Sequence, residues 1–150
     1  MNHLFPFFLL CFFLCSPLAM SQETREIKFH KSHEPKKQMA PFSDAVEVGD
    51  LFFLAGQIGM VHTTRTMVEG GIKAETTRAI ENIKAVLEQH GLGLENVVKC
   101  TVILSSMEDF SAFNEVYSRY FVNKPARTTF AALGLARNAR VEIDVIAARN

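Results

Sequence analysis

Val141-Glu142-Ile143-Asp144-Val145-Ile146-Ala147 reads as a β-strand with two different faces. Successive side chains of a strand point to opposite sides, so Val141, Ile143, Val145 and Ala147 share one face and Glu142, Asp144 and Ile146 the other. The first face belongs on a hydrophobic core. The second sets two carboxylates beside an isoleucine, and is most simply explained if it meets another subunit. Upstream, Pro125-Ala126-Arg127-Thr128 puts an arginine just after a proline turn, opening a further strand from Arg127 to Ala132. Gly134 to Arg140 joins the two strands. Arginine is a planar fork that grips a carboxylate through two parallel hydrogen bonds. A glutamate on a strand is a rigid place from which to hold a water or move a proton. Arg127 and Glu142 together suggest a site for a small anionic molecule that reacts with water; a structural salt bridge is the competing reading.

The rest of the chain supplies a sheet and two helices. Val97 to Leu104 is a strand by its β-branched content, with Cys100, Val102 and Leu104 on one face, so Cys100 reads as a core residue. Between Ile72 and His90, Ala79, Ile80, Ile83, Val86 and Leu87 recur with a 3.6-residue period opposite Lys73, Glu81, Lys84 and Glu88, which predicts a helix. Gly91 stands where a left-handed C-cap belongs. Ser106 and Asp109 have capping-box spacing ahead of a second helix. Its aromatic stripe, Phe110, Phe113, Tyr117, Tyr120 and Phe121, reads as core. Ala45 to Val48 and Leu51 to Ala55, separated by Gly49-Asp50, read as a tight hairpin. Gln57 to Gly71 is a loop with room for one short strand near Thr66 to Val68. Ile27 and Phe29 alternate with Lys28 and His30 as a short first strand would. The resulting order is hairpin, helix, strand, helix, strand, strand: an α+β domain, one sheet with two helices on one face.

Composition narrows the function. The first segment, MNHLFPFFLLCFFLCSPLAM, is almost wholly apolar from Leu4 to Leu14, broken only by Pro6. That is shorter than the ~20 residues a membrane span needs. Small residues follow at Ser16, Ala19 and Ser21, the layout of a secretory signal peptide cleaved after Ala19 or Ser21. An uncleaved anchor is the rival reading, because the start carries His3 and no Lys or Arg. The expectation is a signal peptide over 1–21 and one domain over 22–150, periplasmic or secreted. The protein would be cytoplasmic if the segment is not a functional signal, and the membrane would be met only through that segment. Of three cysteines only Cys100 would remain, so no internal disulfide can form. The 16 basic and 16 acidic residues cancel, and a neutral domain lacks the basic footprint of nucleic-acid binding. Lys31 to Lys37, the one basic patch, reads as part of a solvated N-terminal arm over residues 22–40. His30 and His33 have a spacing that suits a metal but no third ligand nearby, so no metal site is expected.

From about Ile27 to the end, the chain resembles the RidA (YjgF) family of enamine/imine deaminases. The resemblance rests on Ala40-Pro41-Phe42-Ser43-Asp44-Ala45-Val46, Leu51-Phe52-Phe53-Leu54-Ala55-Gly56-Gln57-Ile58, and Glu81-Asn82-Ile83-Lys84-Ala85-Val86-Leu87. It continues through Val97-Val98-Lys99-Cys100-Thr101-Val102, Asp109-Phe110-Ser111-Ala112-Phe113-Asn114-Glu115-Val116-Tyr117, Pro125-Ala126-Arg127-Thr128 and Val141-Glu142-Ile143-Asp144. It implies a chorismate-mutase-like fold assembled as a homotrimer, with the sheets in a central barrel and active sites between subunits. It also implies hydrolysis of 2-enamino or 2-imino acids to 2-keto acids and ammonia, without metal or organic cofactor. By the same resemblance Arg127 would bind the substrate carboxylate and Glu142 would position and deprotonate water. The backbone around Ala55, Gly56 and Thr129 would line the pocket, with Asn114 near the site. Three departures stand out. Phe42 replaces a tyrosine common in the family, Thr129 replaces a cysteine, and Leu135-Ala136 replaces Leu-Pro. The changes at Phe42 and in the loop from His62 to Met67 bear on substrate range. Two other functions compete: a non-catalytic trimer binding small carboxylates, and an endoribonuclease, against which the neutral charge argues.

Overall fold

The computed structural model describes residues 26–149. The expected signal segment lies outside the described residues. The strands are β1 (Ile27–His30), β2 (Ala45–Val48), β3 (Leu51–Leu54), β4 (Gln57–Ile58), β5 (Met60–Val61), β6 (Thr66–Met67), β7 (Val97–Leu104), β8 (Ala126–Ala131) and β9 (Val141–Ala148). The helices are α1 (Gly71–Glu88), between β6 and β7, and α2 (Phe110–Tyr120), between β7 and β8. The main sheet runs β1-β2-β3-β9-β7-β8, with β4 also paired to β9 and a separate β5–β6 ribbon. Pairing is antiparallel throughout the main sheet except between β7 and β8. The sheet is therefore mixed, as expected, and open within one chain. β8 and β9 are consecutive in sequence but not neighbours, because β7 lies between them.

Alternation along β9 sorts the two faces. Val141, Ile143, Val145 and Ala147 are buried with Cys100, Val102 and Leu104 of β7, against Ala79, Ile80, Ile83, Val86 and Leu87 of α1 and Phe113 and Tyr117 of α2. Each large aliphatic side chain in this cluster contributes roughly 1.5–3 kcal/mol. α1 ends as its sequence predicts. Gly91 takes φ of 69°, and the Leu92 and Gly91 amides donate to the carbonyls of Leu87 and Glu88, each at 3.1 Å. That pattern satisfies carbonyls which the helix itself leaves open.

The other sheet face carries an uncovered apolar row toward its β1 edge. Register places Phe29, Val46, Phe53 and Ile146 in one row across β1, β2, β3 and β9. Phe29 and Phe53 are exposed at 71% and 41%, and Phe130 on β8 at 44%. Exposed aromatics gathered on one face of a sheet point to an interaction surface. No helix among the described residues is long and apolar enough to cross a membrane.

Three local expectations need correction. The loop after Gln57 holds three short strands, not one, because β4 adds to β9 and β5 pairs with β6. The Ser106 hydroxyl accepts from the Glu108 amide and caps a short 3-10 turn. Asp109 does not complete a capping box there; its carboxylate accepts from Arg140 instead, at 3.1 and 3.2 Å. The basic arm is not simply solvated: Ser32 and Lys37 are buried. Lys37 reaches inward because Asp44 lies there to pair with it at 2.6 Å.

Candidate active site

Glu142 stands on β9 beside β4, where Ile58 is its register partner. Its carboxylate occupies space that Gly56 leaves empty: a β-carbon on Gly56 would fall 2.1 Å from Oε1. The absent side chain is thus a condition for the carboxylate's position. Burial raises the Glu142 pKa above the ordinary carboxylate value, and Asp144, two residues along the same face, adds to the rise. A carboxyl raised in this way holds its proton more readily than an exposed one, which suits it to proton transfer. It faces a cavity of about 460 Å³ whose wall includes Phe42, Gly56, His62, Arg65 and Arg137. His62 is buried; desolvation and then the Lys37 charge lower its pKa, which favours the neutral imidazole. Phe42 and, from the His62–Met67 loop, His62 and Arg65 stand in this wall.

Arg127 occupies different surroundings. It is the register partner of Cys100, so it projects to the side of the sheet that carries the helices. Its Nη1 donates to Asn114 Oδ1 at 2.8 Å. The guanidinium lies over Tyr117 at 4.6 Å, with Phe113 and Phe110 at 5.6 and 5.7 Å from their ring centroids. These faces orient the cation without neutralising it, and it has no carboxylate partner among the described residues. The aromatic stripe of α2 is therefore core and arginine support together. Arg127 borders a second cavity of about 330 Å³ with Tyr117, Phe121 and Pro125. Thr129 lies two residues along the same side, its hydroxyl buried without a hydrogen-bond partner. Burial pushes the Cys100 thiol beneath up to about 11, leaving it un-ionised at neutral pH.

The expected site residues thus fall into two groups within one chain. Phe42, Gly56 and Glu142 share the first cavity; Arg127, Asn114 and Thr129 stand on the opposite side of the sheet. Ala55 is tied into the hairpin, its amide donating to the Asp44 carbonyl at 3.0 Å. Arg127 and Glu142 do not form a salt bridge with each other. The sequence reading took Lys37 only as part of a solvated basic arm and overlooked Arg65 and Arg137, whose only signal was a basic residue in a turn-rich stretch.

A sequence model of the endoribonuclease L-PSP family matches residues 32–149. The chain belongs to this family. A RutC family protein of Pyrococcus abyssi is 46% identical over 112 residues, covering 74% of this chain and 88% of that protein. The 2-iminobutanoate/2-iminopropanoate deaminase of Dermatophagoides farinae is 42% identical over 109 residues, covering 72% and 85%. The solved structure of RidA from an Antarctic Psychrobacter has a TM-score of 0.75 at 32% identity, covering 81% of this chain and 99% of that one. The RidA-like α+β fold and the RidA/YjgF resemblance therefore hold. Within the endoribonuclease L-PSP family, relatives named for imine deamination support that activity at the level of the family.

Proposed function

We propose that this chain hydrolyses 2-enamino or 2-imino acids to 2-keto acids and ammonia, at sites built between subunits of a homotrimer. The observation that carries the reading is the desolvated Glu142 carboxylate, held against Gly56 at the wall of a ligand-sized cavity. An acidic residue placed where an anion is to bind costs affinity unless it has a task. Glu142 takes a proton from water as the water oxygen attacks the imine carbon and the C=N electron pair moves to nitrogen. Glu142 returns that proton to nitrogen, giving the neutral carbinolamine; it then takes the hydroxyl proton and passes it to the same nitrogen as the C–N bond breaks, so the carbonyl forms and ammonia leaves. Arg127 holds the substrate carboxylate through its fork and so fixes the imine carbon relative to the water. Backbone at Ala55, Gly56 and Thr129 lines the pocket, and Asn114 aims Arg127. No metal or organic cofactor enters these steps.

Arg127 and Glu142 face opposite sides of one sheet, so a site containing both needs two copies of the chain. The exposed row of Phe29 and Phe53 supports assembly through the open face. One observation favours a non-catalytic carboxylate-binding trimer instead: Phe42 offers the cavity no hydroxyl. A neutral chain argues against ribonuclease activity. For residues 1–21 we propose a cleaved export signal, which N-terminal sequencing of the mature protein would test.

The test is ammonia release from imino acids generated in situ by an amino-acid oxidase. Wild type accelerates release; Arg127→Ala and Glu142→Gln each abolish it. Co-refolding the two inactive variants in equal amounts restores about a quarter of wild-type activity, because a random cyclic trimer gives that share of intact sites. No acceleration by wild type would favour the binding trimer, and no restoration on mixing would refute sites shared between subunits.

A further inference from the structure

We propose that the Glu142 cavity is built for imino acids carrying a second acidic group, with Arg65, Arg137 and Lys36 receiving the distal carboxylate; this rests on the deaminase reading. The cations reach one place from three separate segments. Lys36, in the short turn before β2, donates from Nζ to the Thr63 carbonyl at 2.8 Å. Arg137, in the loop between β8 and β9, donates from Nη1 to the Arg65 carbonyl at 3.2 Å. Thr63 and Arg65 both belong to the turn joining β5 and β6. All three cationic residues line the same cavity as Glu142, and none has a carboxylate partner among the described residues.

Chains normally disperse like charges or pair them, because their mutual repulsion works against the compact state. Here the only tethers of Lys36 and Arg137 among the described residues are backbone carbonyls, which hold a cation in place and leave its charge in force. Lys37 borders the same cavity, but its charge is met by Asp44. It is only 7% exposed, and its single ion pair, to Asp44 Oδ1 at 2.6 Å, leaves other ammonium hydrogens without an acceptor among the described residues. The backbone adds an independent sign. Arg65 and Arg137 adopt φ of 64° and 60°, a region that glycine occupies at no steric cost and that other residues enter at roughly 1 kcal/mol or more. Arginine stands at both positions, each bordering the cavity.

The cavity therefore has two chemically different regions. Glu142 reaches the cavity from β9 and forms no ion pair with these cations among the described residues, so the basic wall stands apart from the acid. A neutral side chain would leave that wall solvated and unused. A side chain ending in carboxylate would place its charge among the arginines while the imine carbon lies at Glu142. Arginine forks suit a carboxylate in particular.

The experiment compares 2-oxobutanoate with oxaloacetate and 2-oxoglutarate by titration calorimetry, on wild type and on the Arg65→Gln/Arg137→Gln double variant, with circular dichroism confirming the fold. Wild type is expected to bind at least one diacid about tenfold tighter than 2-oxobutanoate, and the double variant to lose most of that preference. In parallel, the ratio of kcat/KM for the imino acids made from glutamate and from a neutral amino acid should fall about tenfold in the double variant. Equal binding of mono- and diacids by wild type, or a preference that survives in the double variant, overturns the inference. If neutral imino acids are hydrolysed without any diacid preference, the deaminase reading stands and this one falls. Tight diacid binding without hydrolysis of any imino acid supports the anion site and removes the deaminase reading.

Discussion

Gly56→Ala isolates what the Glu142 position is worth. The added methyl would lie 2.1 Å from Glu142 Oε1, 2.9 Å from its Cδ and 3.0 Å from its Cγ, where ordinary contact begins at 3.4 Å. Something must yield, and the carboxylate end of a flexible side chain yields most cheaply. Gly56 is not among the residues with positive φ, so alanine meets no backbone penalty there. Stability should therefore change little, within about 1 kcal/mol. The carboxylate, however, must retreat by about an ångström or more, and a displacement of that size at a reacting group can cost about a hundredfold in rate. We expect kcat/KM for imino-acid hydrolysis to fall about a hundredfold, with a melting temperature within a few degrees of wild type. Gly134→Ala is the control: nothing lies within 4 Å of its added carbon, and activity should stay at the wild-type level. Full activity in Gly56→Ala would refute the claim that Glu142 acts from its observed position. Loss of the folded state would refute the claim that the side chain can yield.

Other perturbations address the remaining parts. Asp44→Ala leaves the Lys37 ammonium buried without its partner and should cost about 3–5 kcal/mol by urea denaturation; an unchanged midpoint would show that Lys37 escapes to solvent. Arg127→Lys keeps the charge but loses the fork held by Asn114, so kcat/KM should fall ten- to hundredfold, about 1.5–3 kcal/mol. Phe53→Glu puts a carboxylate into the exposed aromatic row and should convert the assembly to monomers in light scattering, with loss of activity. For Glu142 the folded pKa is raised, so its ionisation opposes folding. The opposition is complete above the raised value and absent below the ordinary carboxylate pKa. Glu142→Gln should therefore raise the melting temperature at pH 8, with the gain shrinking to nothing as the pH falls below about 4.5; an equal gain at every pH would exclude this origin.

Local patterns carried much of the fold. The Gly49-Asp50 pair marks a two-residue reversal between β2 and β3, and the structure pairs Val48 with Leu51 across it. The β-branched run Val97–Leu104 is the whole of β7, and the 3.6-period stripe finds α1 to within two residues. Strand order was not legible, because it is decided by which distant segments meet: nothing local in β8 says that it pairs with β7 rather than β9. Arg127 and Glu142 stood out in the sequence as candidate residue types, and their placement on two faces of the sheet did not. Counting alternation from Cys100 through the β7–β8 register would have shown it, but that register exists only once the sheet is assembled. Lys37 and Asp44 stayed hidden because their pairing depends on a chain reversal between them. Arg65 and Arg137 gave no sign, since a left-handed arginine looks in sequence like any exposed one.

The separation of Arg127 from Glu142 has a physical logic. Two opposite charges 4 Å apart near a protein surface attract by about 4 kcal/mol at an effective dielectric of 20. Within one chain they would close on each other, and a substrate would have to break that pair before binding. Here each is held by groups that fix position without cancelling charge. Arg127 leans on the Asn114 amide and three aromatic faces. Glu142 sits in the space vacated at Gly56, beside Asp144, which repels it. The same device recurs in the basic wall, where Lys36 and Arg137 are tied to backbone carbonyls. In the proposed trimer, a site assembled from such groups would meet an anionic substrate with its charges still available, and the assembly of subunits, not a change within one chain, would bring the cation to the acid.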